Sequence, residues 1–196
     1  PTYVYCGNRG VVGVSVETGD VLWHTDAWKI SIATVATPVP VGDDRVFFSG
    51  GYNAGSMMLR VERTETGMLE PRVVYRLGPE TFGATQQTPI LHKGHLYGVR
   101  PDGQLTCLRL DGSVAWTSGA RVTFGLCPFV IADDLLYALD EGGSLSLVRA
   151  VPQRFDRLAH AQVLEGREPW GPLALAAGRL IARDLTRLVC LEVGTP

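Results

Sequence analysis

The feature that most restricts this chain is a unit that recurs. Four segments share one design: "TPVPVGDDRVFFSGG" from Thr37, "TPILHKGHLYGVRPDG" from Thr88, "CPFVIADDLLYALDEGG" from Cys127 and "GPLALAAGRLIARD" from Gly171. Each places a small residue before a proline, alternates apolar positions, turns at polar or glycine residues and enters a second apolar run. The prolines, Pro38, Pro89, Pro128 and Pro172, are 51, 39 and 44 residues apart. Proline brings no N–H to a ladder, so the start of a strand is where it is tolerated. A third apolar run follows in each unit, as in "GVVGVSVETG", "SMMLRVERTETG", "GQLTCLRLDG", "GSLSLVRA" and "TRLVCLEVG". Three of these lead through a glycine turn into a fourth short run carrying an aromatic: Trp23, Tyr75 and Trp116. The fourth unit lacks that aromatic, and "FDRLAHAQV" is its expected outer strand.

Four short antiparallel strands repeating every 40–50 residues define a propeller blade. Sandwiches do not repeat in this way, and strong helical periodicity is absent. The expected fold is therefore an all-β propeller forming one partial domain over residues 1–196. Its blades are expected at 1–36 (incomplete), 37–87, 88–126, 127–170 and 171–196 (incomplete). The first unit begins at "YVYCGNRG", which aligns with the second strands of the others, and the last stops after a third strand. The expectation is three complete blades flanked by two incomplete ones, the C-terminal part of a larger propeller. Open sheet edges invite pairing, so missing upstream blades, an unknown protein partner or a second copy of the chain are the expected neighbours.

Composition narrows the function classes. The chain has 196 residues and a formal net charge of −2, with 45% hydrophobic and 19% charged residues, the balance of a globular protein. A sequence pI near 6.1 without a basic stripe argues against nucleic acid as a partner. No apolar run approaches the ~20 residues of a membrane span, and "PTYVYCGNRG" does not read as a basic start followed by an apolar stretch. The four cysteines, Cys6, Cys107, Cys127 and Cys190, form no C-x-x-C. Buried free thiols are the expectation, with a disulfide or reactive thiol as the alternative.

The repeated turn and aromatic resemble a known motif. "GVSVETGDVLW" is similar to the tryptophan-docking pattern Ala-x-Asp-x-x-Thr-Gly-x-x-x-Trp at Thr18, Gly19 and Trp23, with Gly13 and Ser15 in place of Ala and Asp. "LRLDGSVAW" is a shorter copy ending at Trp116. By this motif the chain resembles the PQQ-like (quinoprotein and BamB-like) propeller repeats, a group holding both dehydrogenases and non-catalytic propellers. The resemblance implies that Thr18, Gly19, Trp23, Tyr75 and Trp116 join blades. It also implies export, to the periplasm or cell surface.

For function, the resemblance implies a non-catalytic scaffold or interaction module. The alternative is part of a PQQ-dependent alcohol or sugar dehydrogenase with its catalytic residues upstream. That alternative implies a quinone near the propeller axis, calcium, a catalytic aspartate and a vicinal Cys-Cys pair, which this chain lacks. No cofactor, metal or catalytic residue is therefore assigned. His92 and His95 fall at a turn with no further ligand in sequence reach. "PDGQ" and "DEGGS" read as turns rather than calcium loops. "GNRGVVG" lacks the phosphate-binding spacing. In a propeller the loops entering first strands share a face with those joining second to third strands. That expected binding face would gather Tyr52, Asn53, Gln86, Gln87, Arg100, Asp102, Glu168 and Trp170.

Overall fold

The computed structural model describes residues 1–30 and 32–194. Its regular structure is strands alone, arranged as five antiparallel sheets in chain order. The first sheet has three strands, β1 (Thr2–Gly7), β2 (Gly10–Ser15) and β3 (Val21–Thr25). The second has four, β4 (Val39–Val41), β5 (Arg45–Gly50), β6 (Gly55–Arg63) and β7 (Leu69–Leu77). The third comprises β8 (Ile90–His92), β9 (His95–Val99), β10 (Leu105–Arg109) and β11 (Val114–Thr117). The fourth comprises β12 (Phe129–Ala132), β13 (Leu135–Leu139), β14 (Ser144–Arg149) and β15 (Arg157–Gln162). The fifth has three strands, β16 (Ala174–Ala176), β17 (Arg179–Arg183) and β18 (Leu188–Glu192). This is the expected β-propeller pattern, three four-stranded sheets between two three-stranded ones.

Each sheet is a meander in which every strand pairs with its sequence neighbours. Strand β8 packs beside both β4 and β12, so first strands lie side by side at the inner edge, while β3 meets β7 at the outer edge. Pro38, Pro89 and Pro128 stand immediately before β4, β8 and β12, where no ladder N–H is needed. The extra length of the second unit is an extended hairpin, with β6 and β7 at nine residues each.

The core lies between sheets rather than inside any one of them. Phe48, Met57 and Leu59 of the second sheet close on Val11 and Trp23 of the first. Phe47 and Met58, on the opposite face, close on Leu96 and Leu108 of the third. Tyr97, Leu105 and Cys107 meet Leu136, Ala138 and Val148 of the fourth. Alternate strand residues thus bury on both sheet faces, which explains near-continuous apolar runs such as "MML".

One irregularity recurs wherever third and fourth strands pair. A β-bulge follows Gly13, Met58, Cys107 and Leu147, and each of these residues faces its partner on the outer strand: Trp23, Tyr75, Trp116 and Ala159 respectively. The bulge adds twist and aims the outer side chain at the following sheet. Trp23 is buried among residues of the second sheet. Tyr75 lies against the Gly112 turn of the third sheet, and burial, with Asp111 nearby, pushes its phenol up to about 12. Trp116 donates from Nε1 to the carbonyl of Val151 at 2.7 Å and packs at a tilt against Phe155, ring centroids 5.7 Å apart, both from the fourth unit.

The departures from the tryptophan-docking pattern have a local cause. The Trp23 ring lies directly over Gly13, where an added Cβ would stand 2.1 Å from the indole. Ser15 does the turn-capping work of an aspartate, its Oγ accepting from the backbone N–H groups of Glu17 and Thr18 at 3.3 and 3.2 Å. Thr18 donates its hydroxyl to Asp20 at 2.7 Å, and Gly19 takes the positive φ of 78° that closes the hairpin.

The cysteines correct one expectation. All four are free, but only Cys107 and Cys127 are buried; Cys6 is half-buried and Cys190 is exposed on β18. Burial pushes the thiols of Cys6 and Cys107 up to about 11 and that of Cys127 up to about 12. Cys190 sits on a sheet face that no further sheet covers among the described residues.

Candidate functional site

Four connectors converge at the inner edge, on the side from which the chain enters first strands. Together they form a cleft of about 460 Å³. Val35 comes from the connector into the second sheet, and Gln86, Gln87 and Thr88 from the connector into the third. Leu126, Pro128, Phe129 and Val130 lead into the fourth sheet, and Trp170, Pro172 and Leu173 into the fifth. The walls are fixed by hydrogen bonds between units. Gln87 donates from Nε2 to the carbonyls of Gly125 at 3.0 Å and Cys127 at 2.7 Å, and Thr88 Oγ1 accepts from Thr37 N–H at 3.0 Å. These bonds span the sheet junctions, so the cleft is formed in advance of any ligand.

Trp170 is the more exposed of the two aromatic side chains lining the cleft, at 41%. It is set there by a tight turn in which its N–H donates to the Glu168 carbonyl at 2.8 Å and Glu168 takes a left-handed φ of 51°. An aromatic held at partial exposure by buried neighbours is the side chain binding sites use most.

The structure brings together three of the eight residues of the expected binding face, Gln86, Gln87 and Trp170. Glu168 contributes through its backbone, as the support of Trp170. Tyr52 and Asn53 form the turn between β5 and β6, both at left-handed φ (56° and 62°), outside the cleft. Arg100 and Asp102 are spent on structure. Arg100 pairs with Asp102 and donates to the Glu80 carbonyl at 3.0 Å, while Asp102 Oδ1 accepts from Gln104 N–H at 3.1 Å. Burial raises the Asp102 pKa, but its bonds from Arg100 and Gln104 outweigh that and hold the carboxyl below its usual range. The apolar lining, Val35, Leu126, Phe129 and Leu173, was not singled out from sequence. Its one signal was position: each lies within a few residues of a repeated proline or in a connector.

A family model described as outer membrane protein assembly factor BamB matches residues 2–118. The chain belongs to this PQQ-like propeller family. No curated protein matches the sequence. Among solved structures, AztD from Citrobacter koseri is similar at 13% identity and a TM-score of 0.58, over 94% of this chain and 49% of AztD. BamB from Moraxella catarrhalis is similar at 14% identity and a TM-score of 0.50, over 96% of this chain and 66% of BamB. The computationally designed protein Ika4 is similar at 9% identity and a TM-score of 0.52, over 79% of this chain and 88% of Ika4. At these identities the likeness is one of fold. The chain spans about half the length of AztD and 66% of BamB.

The name of the PQQ-like family raises the question of its quinone. Pyrroloquinoline quinone is a tricarboxylate, and its calcium partner takes several oxygen ligands, carboxylates foremost. The cleft offers two amides, one hydroxyl and apolar groups, with no charged side chain in its lining. These residues do not fit the quinone and calcium. Among the described residues no group of three or more His, Cys, Asp or Glu is placed to hold a metal ion.

Proposed function

We propose that this PQQ-like propeller segment is a non-catalytic binding module whose inner cleft takes an extended, apolar segment of a partner protein. The observation carrying this reading is Trp170, held half-exposed in a cleft it lines together with Val35, Phe129, Leu173, Gln86 and Gln87. The apolar lining supplies affinity, and the Gln86 amide, with the Oε1 that Gln87 keeps free, matches the N–H and C=O groups of an extended backbone. The description of the matching family, an outer membrane protein assembly factor, supports a role in which polypeptide is what is bound, and a periplasmic site of action.

The test is selection of a displayed library of ten-residue unstructured peptides on the immobilised full chain. Peptides with alternating aromatic or aliphatic residues are expected to be enriched, and Trp170→Ala is expected to lower their binding at least tenfold. Failure to enrich any sequence above bare support would overturn the reading, as would enriched peptides indifferent to Trp170. Quinone with calcium, followed by Trp fluorescence and dye reduction with alcohols, is a parallel arm. Saturable binding with turnover there would overturn the non-catalytic assignment.

A further inference from the structure

A second recess, of about 410 Å³, opens between the third and fourth sheets and adjoins the inner cleft at Gly125 and Leu126. Its floor is the face of β14 turned toward the third sheet. Ser146 stands there, 1% exposed, and its Oγ is buried without a hydrogen-bond partner. Its neighbour Ser144 is not idle in this way: it donates to Gln162 Oε1 at 2.7 Å. An unpaired buried hydroxyl destabilises the fold, and at the floor of a polar recess a ligand acceptor would satisfy it.

The recess has two differently charged ends. At the β13–β14 turn stand Asp140 and Glu141. Asp140 Oδ1 accepts from Ser144 N–H at 2.9 Å, and its Oδ2 lies 3.9 Å from His160 Nε2; Glu141 Oε1 accepts from Leu126 N–H at 3.4 Å. Further along, His160 faces Ser146 across the ladder, and Arg157 lies level with Val148. Arg121, from the connector after β11, forms part of the opposing wall. Neither Arg157 nor Arg121 makes an ion pair or side-chain hydrogen bond among the described residues. Ser144, bonded to Asp140, and Val148, level with Arg157, are four residues apart on one strand, so the backbone positions carrying the two ends lie about 13 Å apart.

The geometry assigns this recess to a di- or tripeptide with free termini: ammonium toward Asp140 and Glu141, carboxylate toward Arg157 and Arg121, and a backbone carbonyl accepting from Ser146 between them. Extended peptide spans about 3.3–3.6 Å per residue, so two or three residues bridge the two ends with the help of side-chain reach. A simple anion would leave the carboxylates opposed to it, and a simple cation would do the same with the guanidiniums. A charge-separated ligand satisfies both, with arginine supplying paired donors to a carboxylate.

The experiment is calorimetric titration of the full chain with Ala-Ala-Ala, with its N-acetylated form and with its C-terminal amide. Saturable binding of the free tripeptide is expected, with each blocked form at least tenfold weaker. Arg157→Gln is expected to weaken the free tripeptide at least tenfold and the amide hardly at all; Glu141→Gln should show the mirror pattern with the acetylated form. Ser146→Ala is expected to weaken binding several-fold with no loss of thermal stability, since it removes an unpaired hydroxyl. Trp170→Ala should leave tripeptide binding intact, which separates this site from the inner cleft. No saturable binding, or equal binding of all three peptides, overturns the assignment.

Discussion

The junction of the third and fourth sheets and that of the fourth and fifth share one backbone design but differ in what fills it. The first is closed by Trp116, packed in tilted contact with Tyr97 at 6.0 Å and Phe155 at 5.7 Å between ring centroids and tied to Val151. In the second, the same bulge register presents Ala159, and the whole of β15 is exposed. That junction relies on Cys127, Leu139, Leu164 and Ala182, without an aromatic. The bulge therefore does not depend on the aromatic. It is a property of the hairpin, and the aromatic is an addition that extends burial to the outer edge.

The largest expected effect breaks the better-filled junction. Trp116→Ala removes a buried indole and its hydrogen bond, at a cost of about 3–5 kcal/mol, read by urea unfolding with far-ultraviolet circular dichroism. A loss under about 1 kcal/mol would mean that the junction is held elsewhere. Gly13→Ala tests the same device in the first sheet. A Cβ would collide with the Trp23 ring, and about 1–3 kcal/mol of stability should be lost. The converse is Ala159→Trp, which restores the aromatic to the vacant register position. It should gain about 1 kcal/mol by covering Leu147 and the fifth sheet, and no gain would show that the outer edge there is not available for packing.

Two finer tests separate the same regions. A disulfide reagent should label Cys190 on the fifth sheet rapidly, while Cys107 at the filled junction, its thiol pushed up to about 11 by burial, reacts only on unfolding. The smallest effect lies where the β8–β9 and β12–β13 turns of the third and fourth sheets meet. Asp134 accepts from Lys93 at 2.5 Å and contacts His92 Nε2 at 2.7 Å. These bonds, that of Lys93 foremost, hold its carboxyl below the ordinary range. A lowered folded-state pKa stabilises fully above the unfolded value of about 3.9 and is lost as pH falls through the folded value. Asp134→Asn should therefore lower the melting temperature slightly at pH 7 and not at pH 2. A difference that persists at pH 2 would rule out the carboxylate as its source.

The strands were legible because each unit carries its own local signals: proline before the first strand, glycine at the hairpin, an aromatic on the last. The inner cleft was half legible. Gln86, Gln87 and Trp170 were found from the topology of blade loops, whereas Arg100 and Asp102 look equally functional in sequence and turn out to pair with each other. Leu126 and Phe129 carry no local mark that separates them from other apolar residues. Only the convergence of four connectors exposes them.

Repetition in the sequence was enough to specify strand order, hairpin turns and the stacking of one sheet on the next, because these depend on residues within a few positions or within one repeat. Tertiary structure alone decided which polar groups are used up and which remain available. The unpaired Ser146 and the unpaired Arg157 and Arg121 owe their state to neighbours brought together across a junction, a relation no local pattern encodes.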